Sequence, residues 1–166
     1  MPAIDKQNKG EGMPNHSKPH AHRLRTGRYP EPGRSYLLTT LVQDRNPLFS
    51  DWRLGRLLVQ ELRRAEDESL VVSLAWVVMP DHLHWLIELI DGSLETLMRR
   101  VKSRSTLAIN AANGRSGQLW QRGYHDHAVR REEDFKALAR YVVANPLRVG
   151  LVGHIGDYPL WDAIWL

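Results

Sequence analysis

Cysteine is absent from this 166-residue chain, so disulfides and thiolate metal sites are excluded. That composition fits a cytoplasmic protein. No apolar run approaches the roughly 20 residues of a membrane span, so no membrane partner is expected. The N-terminus also lacks the apolar core of a signal peptide. No Gly-rich loop ending in Lys-Ser or Lys-Thr is present, so nothing points to a bound nucleoside triphosphate. Internal repeats are missing too. Negative charge is in deficit: the formal net charge is +4 and arginine dominates the positive side, which is compatible with a polyanionic partner.

Length suits one domain with a sizeable core. Residues 1–28 are sparse in apolar side chains, rich in Pro, Gly, Asn, Lys and His, and aperiodic, which reads as a flexible basic tail. His16, His20 and His22 fall there and are read as solvated. Residues 29–166 form the single folded domain. Tyr36 to Val42 reads as a buried strand, broken by Asn46-Pro47. Ser50 is placed to cap a helix from Asp51 to about Glu66, with Trp52, Leu57, Leu58 and Leu62 on its apolar side. Leu70 to Met79 is apolar enough for a central strand, Pro80-Asp81 is a tight turn, and His82 to Ile90 is its hairpin partner. A helix from about Leu94 to Ala112 follows, lined by Leu94, Leu97, Met98, Val101 and Leu107. Leu119 to Val129 is expected as a fourth strand or extended segment. The acids after Arg131 open a last helix that carries Tyr141 and stops at Pro146. Gly153 to Leu166 is expected to pack as an irregular arm. The element order matches an α+β, ferredoxin-like split βαβ arrangement: an antiparallel sheet with an additional helix bearing Tyr141.

Within the third strand, Pro80-Asp81-His82-Leu83-His84-Trp85 places two histidines on one face, because strand side chains alternate. Leu83, Trp85, Ile87 and Leu89 then point into a core. Two imidazoles side by side on a rigid strand are two preplaced metal ligands. A strand with two polar positions facing solvent gives the same pattern. Tyr141 and Asn145, four residues apart, share one helix face. A phenol is a weak nucleophile until a cation sits near the group it attacks, and the Asn145 amide offers a neutral hard oxygen. Two nitrogens, one oxygen and open positions suit a divalent Lewis acid working on a phosphate. Equally, Tyr141 can be a core-edge aromatic and Asn145 a helix C-cap.

His82-Leu83-His84 resembles the HUH motif (His, bulky hydrophobic, His) of single-tyrosine nucleases. Trp76 to His84, Leu119 to His127 and Tyr141 to Val152, taken together, look like the REP-associated tyrosine transposases, bacterial relatives of single-tyrosine insertion-sequence transposases. The resemblance spans about residues 28–166. It implies that His82 and His84 ligate a divalent metal, Mg²⁺ or Mn²⁺, that Asn145 is the third ligand, and that Tyr141 is the nucleophile. The implied reaction is cleavage and rejoining of single-stranded or hairpin DNA through a 5′-phosphotyrosine, by a monomer or homodimer. Two rival readings are a hairpin-binding protein of the same fold that does not cut, and a hydrolase that uses water. Arg99, Arg100, Lys102, Arg104, Arg122 and Arg148 are candidate phosphate contacts, though each also suits a solvated surface. His125 and His127 form a second His-x-His, open to a role near the site, in proton transfer, or at a sheet edge.

Overall fold

The computed structural model describes residues 32–130 and 133–166. The 1–28 tail with His16, His20 and His22, and Arg131 and Glu132, lie outside the described residues. The elements run β1 (Ser35–Leu41), α1 (Trp52–Asp67), β2 (Val71–Met79), β3 (His82–Leu89), α2 (Leu94–Asn113), β4 (His125–Ala128), α3 (Phe135–Val143), α4 (Asn145–Arg148) and β5 (Trp161–Ala163). The sheet order is β4-β1-β3-β2-β5 with antiparallel pairing throughout. The first four strands have the ferredoxin-like arrangement, and β5 extends the β2 edge.

Both faces of this sheet are covered. Leu38, Val78, Leu83, Trp85, Ile87 and Leu89 pack under α1 and α2. Ala75, Val77, Met79 and Leu86 pack against Ala139, Val142 and Val143 of α3 and against the C-terminal arm. Two covered faces explain why β2 is almost uninterruptedly apolar, as strands buried on both sides are. They also remove the alternative in which the histidine face of β3 is simply a solvent face, since a second, smaller core covers its far half.

Several local expectations change. Asp51, not Ser50, caps α1: its carboxylate accepts from the Arg53 amide. Trp52 is not on the buried side of α1. It is half exposed, with the Arg56 guanidinium 5.1 Å above its ring, and Leu54, Leu58, Val59, Leu62 and Ala65 form the buried stripe. On α2, Leu107 is 73% exposed. The stripe continues instead through Val101, Ser105 and Ile109, the positions that helical spacing aligns. Only His125–Ala128 of the expected fourth strand joins the ladder. Upstream, Trp120 makes a single bridge to Val42, and Gly123 at φ 74° turns the chain into a conformation that favours glycine. The C-terminal arm is less irregular than expected, because Trp161–Ala163 pairs with Ala75–Val77. Leu160 lies so close over α1 that a Cβ at Gly55 would collide with its side chain, which accounts for a glycine inside that helix.

Candidate active site

The β2–β3 hairpin turns through Pro80-Asp81, so His82 begins the strand directly opposite Met79. Both imidazoles rise from the α3 side of the sheet. Their Nε2 atoms are 3.2 Å apart and the rings meet edge to face. Each opposite nitrogen is held. Nδ1 of His82 lies 2.7 Å from Asp81 Oδ1, and Nδ1 of His84 lies 2.9 Å from Thr39 Oγ1 on the neighbouring β1. Asp81 is itself held by Arg45, whose Nε donates to Oδ2 at 2.7 Å. Burial would raise the Asp81 carboxyl, but hydrogen bonds from His82 and Arg45 outweigh it and keep the group below its ordinary value. Arg45 makes this contact from a left-handed backbone, φ 53°, directly after Asp44 at φ 56°. Such a conformation costs on the order of 1 kcal/mol for a non-glycine residue and marks the turn as specialised.

Burial, then the neighbouring charges of His82 and Arg148, push the His84 imidazole down to about 4. Neutral His84 is therefore the stable form near neutrality, and neutral imidazole is the ligating form. The geometry fits a cation. Two nitrogens bound to one ion at about 2.1 Å lie roughly 3.0 to 3.4 Å apart, for angles between octahedral and tetrahedral. Fixing the outer nitrogen through Asp81 or Thr39 sets the ring orientation, as second partners of ligating histidines do. Among the described residues no group of three His, Cys, Asp or Glu is placed to hold a metal ion, so further ligands would have to be other oxygens.

Across this face, α3 packs on β2, β3 and β5. Asp134 caps its start by accepting from the Lys136 and Ala137 amides, as the acid-rich sequence implied. The helix is not continuous through the motif: α3 ends at Val143, and a short turn, α4, takes over at Asn145. Pro146 is the cause. In a continued helix its amide would donate to Val142 O, and proline has none to give. Asn145 Nδ2 donates to that carbonyl at 2.7 Å and to Tyr141 O at 3.4 Å. Ala144, not Asn145, is the C-cap of α3, but the Asn145 side chain still closes that helix end. Its other amide atom, Oδ1, accepts from Arg148 at 2.6 Å. The Arg148 guanidinium also lies 3.8 Å from the centroid of the Tyr141 ring, which is 54% exposed. Tyr141, Asn145 and Arg148 thus form one contact group.

The other candidates lie elsewhere. Arg99, Arg100, Lys102 and Arg104 are on α2, the layer across the sheet from the histidines. Arg100 and Arg104 pair with Glu68 of the α1 terminus. Lys102 donates to Gln121 O at 2.6 Å and Gly123 O at 2.7 Å, which pins the segment leading to β4. Arg99 and Arg122 are exposed. His125 stands opposite Thr39, itself opposite His84, so it shares the histidine face two strands away. His127 contacts Glu133 at 3.3 Å. Sequence reasoning missed Thr39, Arg45 and the supporting role of Asp81. Only Asp81 carried a signal, an acid adjoining a histidine pair, because the other two reach the site through sheet register and a left-handed turn. Among the described residues no helix is long and apolar enough to cross a membrane.

A ferredoxin-like sheet with a paired-histidine strand under a tyrosine-bearing helix is the framework of a single-tyrosine transposase. The chain belongs to the IS200-like transposase family, whose model matches residues 33–145. It is 31% identical to the REP-associated tyrosine transposase of Escherichia coli K12 over 87 residues, 51% of this chain and 50% of that protein. The matched stretch thus spans about half of that relative. A putative REP-associated tyrosine transposase of Haemophilus influenzae is 24% identical over 143 residues, covering 76% of this chain and 78% of its own. Among solved structures, a REP-associated tyrosine transposase bound to a REP hairpin aligns with a TM-score of 0.63 at 24% identity, covering 81% of this chain and 79% of that one. A putative transposase from Deinococcus radiodurans aligns at 0.52 with 20% identity, covering 73% of this chain and 96% of that one.

Proposed function

We propose that this transposase cuts and rejoins single-stranded DNA beside hairpins, with Tyr141 as nucleophile and His82, His84 and the Asn145 oxygen as ligands of Mg²⁺ or Mn²⁺. The observation that carries the reading is the histidine pair, with facing Nε2 atoms 3.2 Å apart and both Nδ1 atoms engaged. Hairpin DNA is the proposed substrate class because a structural neighbour of this fold is bound to one. The basic composition supports a polyanionic partner.

Bound between the histidines, the cation would supply Lewis-acid polarisation of the scissile phosphate and a fixed orientation for it. With a cation bound, His82 and His84 would present bare Nε2 atoms, with the hydrogens on the two Nδ1 atoms directed to Asp81 and Thr39. The Tyr141 oxygen attacks phosphorus in line and gives up its proton to solvent. The P–O3′ bond breaks, and the departing 3′ oxygen takes up a proton. The 5′ phosphate is then joined to Tyr141 in a diester that keeps the energy of the broken bond, so rejoining by another 3′-OH needs no nucleotide cofactor. Incubating the protein with Mn²⁺ and labelled single-stranded hairpin DNA, then denaturing, should leave a labelled protein band. Cleaved DNA with a free 5′ phosphate and no such band would instead indicate a water-using nuclease.

A further inference from the structure

Arg148 makes two contacts that converge. Its guanidinium donates to Asn145 Oδ1 at 2.6 Å and covers the face of Tyr141 at 3.8 Å. Asn145 cannot turn away from this arrangement, because its Nδ2 is committed to the Val142 carbonyl. Its Oδ1 therefore has a fixed direction. That oxygen is neutral, and it brings no negative charge to balance two cations at once. A guanidinium and a divalent ion on one amide oxygen repel each other at short range.

We propose that Arg148 is a positioning residue that competes with the divalent cation for Asn145 Oδ1 and, displaced from it, turns its guanidinium to the DNA phosphate. The proposal rests on the metal centre described above. Stacked on Tyr141, the Arg148 side chain also restrains the phenol while Oδ1 is engaged. Once released, the planar fork stays beside the tyrosine and suits two phosphate oxygens. A cation at the histidines and a phosphate at Arg148 then favour each other, since each takes over what the other leaves.

Mn²⁺ calorimetry on the full chain tests this without reference to cleavage. Arg148→Ala should tighten Mn²⁺ binding roughly tenfold, the worth of one charge-assisted hydrogen bond. In an Asn145→Ala background the same change should lose most of that gain, since the contested oxygen is gone. Should Asn145→Ala melt early, adding Pro146→Ala returns a backbone donor to Val142, and the comparison is made there. A gain as large in the Asn145→Ala background as in the wild type would mean that Arg148 acts through charge alone, and would overturn the proposal. So would an unchanged affinity in Arg148→Ala while the wild type binds Mn²⁺. If neither wild type nor Arg148→Ala binds Mn²⁺, the metal centre itself fails, and Arg148 with it.

Discussion

Asn145 supplies to Val142 the hydrogen-bond donor that Pro146 lacks. Its Nδ2 sits 2.7 Å from the carbonyl that a continued helix would have paired with the residue-146 amide. One side chain thus closes the end of α3 and aims an amide oxygen outward. Asn145→Ala should destabilise the fold by about 1 to 3 kcal/mol, the cost of an unpaired buried carbonyl. Pro146→Ala in the same chain should recover part of the loss. Urea melts of the four proteins measure the coupling, and strictly additive effects would remove this account of Asn145.

Asp81 should matter to the metal more than to the fold. Asp81→Asn keeps its size but weakens its hold on His82 Nδ1 and Arg45. Loss of such a second partner typically lowers metal affinity by about 10- to 100-fold. Mn²⁺ titration checks this, and an unchanged affinity would mean that Asp81 serves only the turn.

The metal-free protein should lose stability as pH falls from about 6.5 towards about 4. Burial first, with the charges of His82 and Arg148 after it, depresses His84, so between those values the unfolded chain binds the proton and the folded one resists it. The contribution is complete above the ordinary histidine value and is lost as pH descends through this window. His84→Gln should flatten the corresponding part of a stability–pH profile measured by urea melts. An unaltered slope would show that another group governs it.

Lys102 should behave as a structural cation. Its ammonium holds Gln121 O and Gly123 O, and burial pushes its ionisation below the ordinary lysine range. Lys102→Met should destabilise the protein by about 1 to 3 kcal/mol while leaving the salt dependence of DNA binding unchanged. A slope lower by about one in the variant would return Lys102 to the phosphate contacts.

Most of the fold was legible because its signals are local. The period-two pattern of His82 to Leu89 fixed one face of β3, and the Pro80-Asp81 turn fixed its partner. Errors fell where a neighbour decides. Leu107 is apolar but off the α2 stripe, and Trp52 is exchanged for Leu54 once Asp51 sets the helix start. β5 is three residues long and exists because β2 offers an edge. At the site, the His82–His84 pairing was readable from alternation. The hold of Thr39 on His84 was not, since it depends on how β1 and β3 register. Arg148 was read as one of six basic candidates, although the i, i+4, i+7 spacing of Tyr141, Asn145 and Arg148 already sets the three along one helix face.

Tyr141→Phe tests the central claim most directly, because it deletes one oxygen from a half-exposed ring and leaves the stacking surface for Arg148. Tyr124→Phe is the control, on a residue packed against the core on the opposite side of the sheet. With Mn²⁺ and single-stranded hairpin DNA, wild type and Tyr124→Phe should each give a denaturation-resistant protein–DNA adduct, and Tyr141→Phe should give neither adduct nor cut DNA while still binding both. Cleavage by Tyr141→Phe that leaves a free 5′ phosphate would contradict the account.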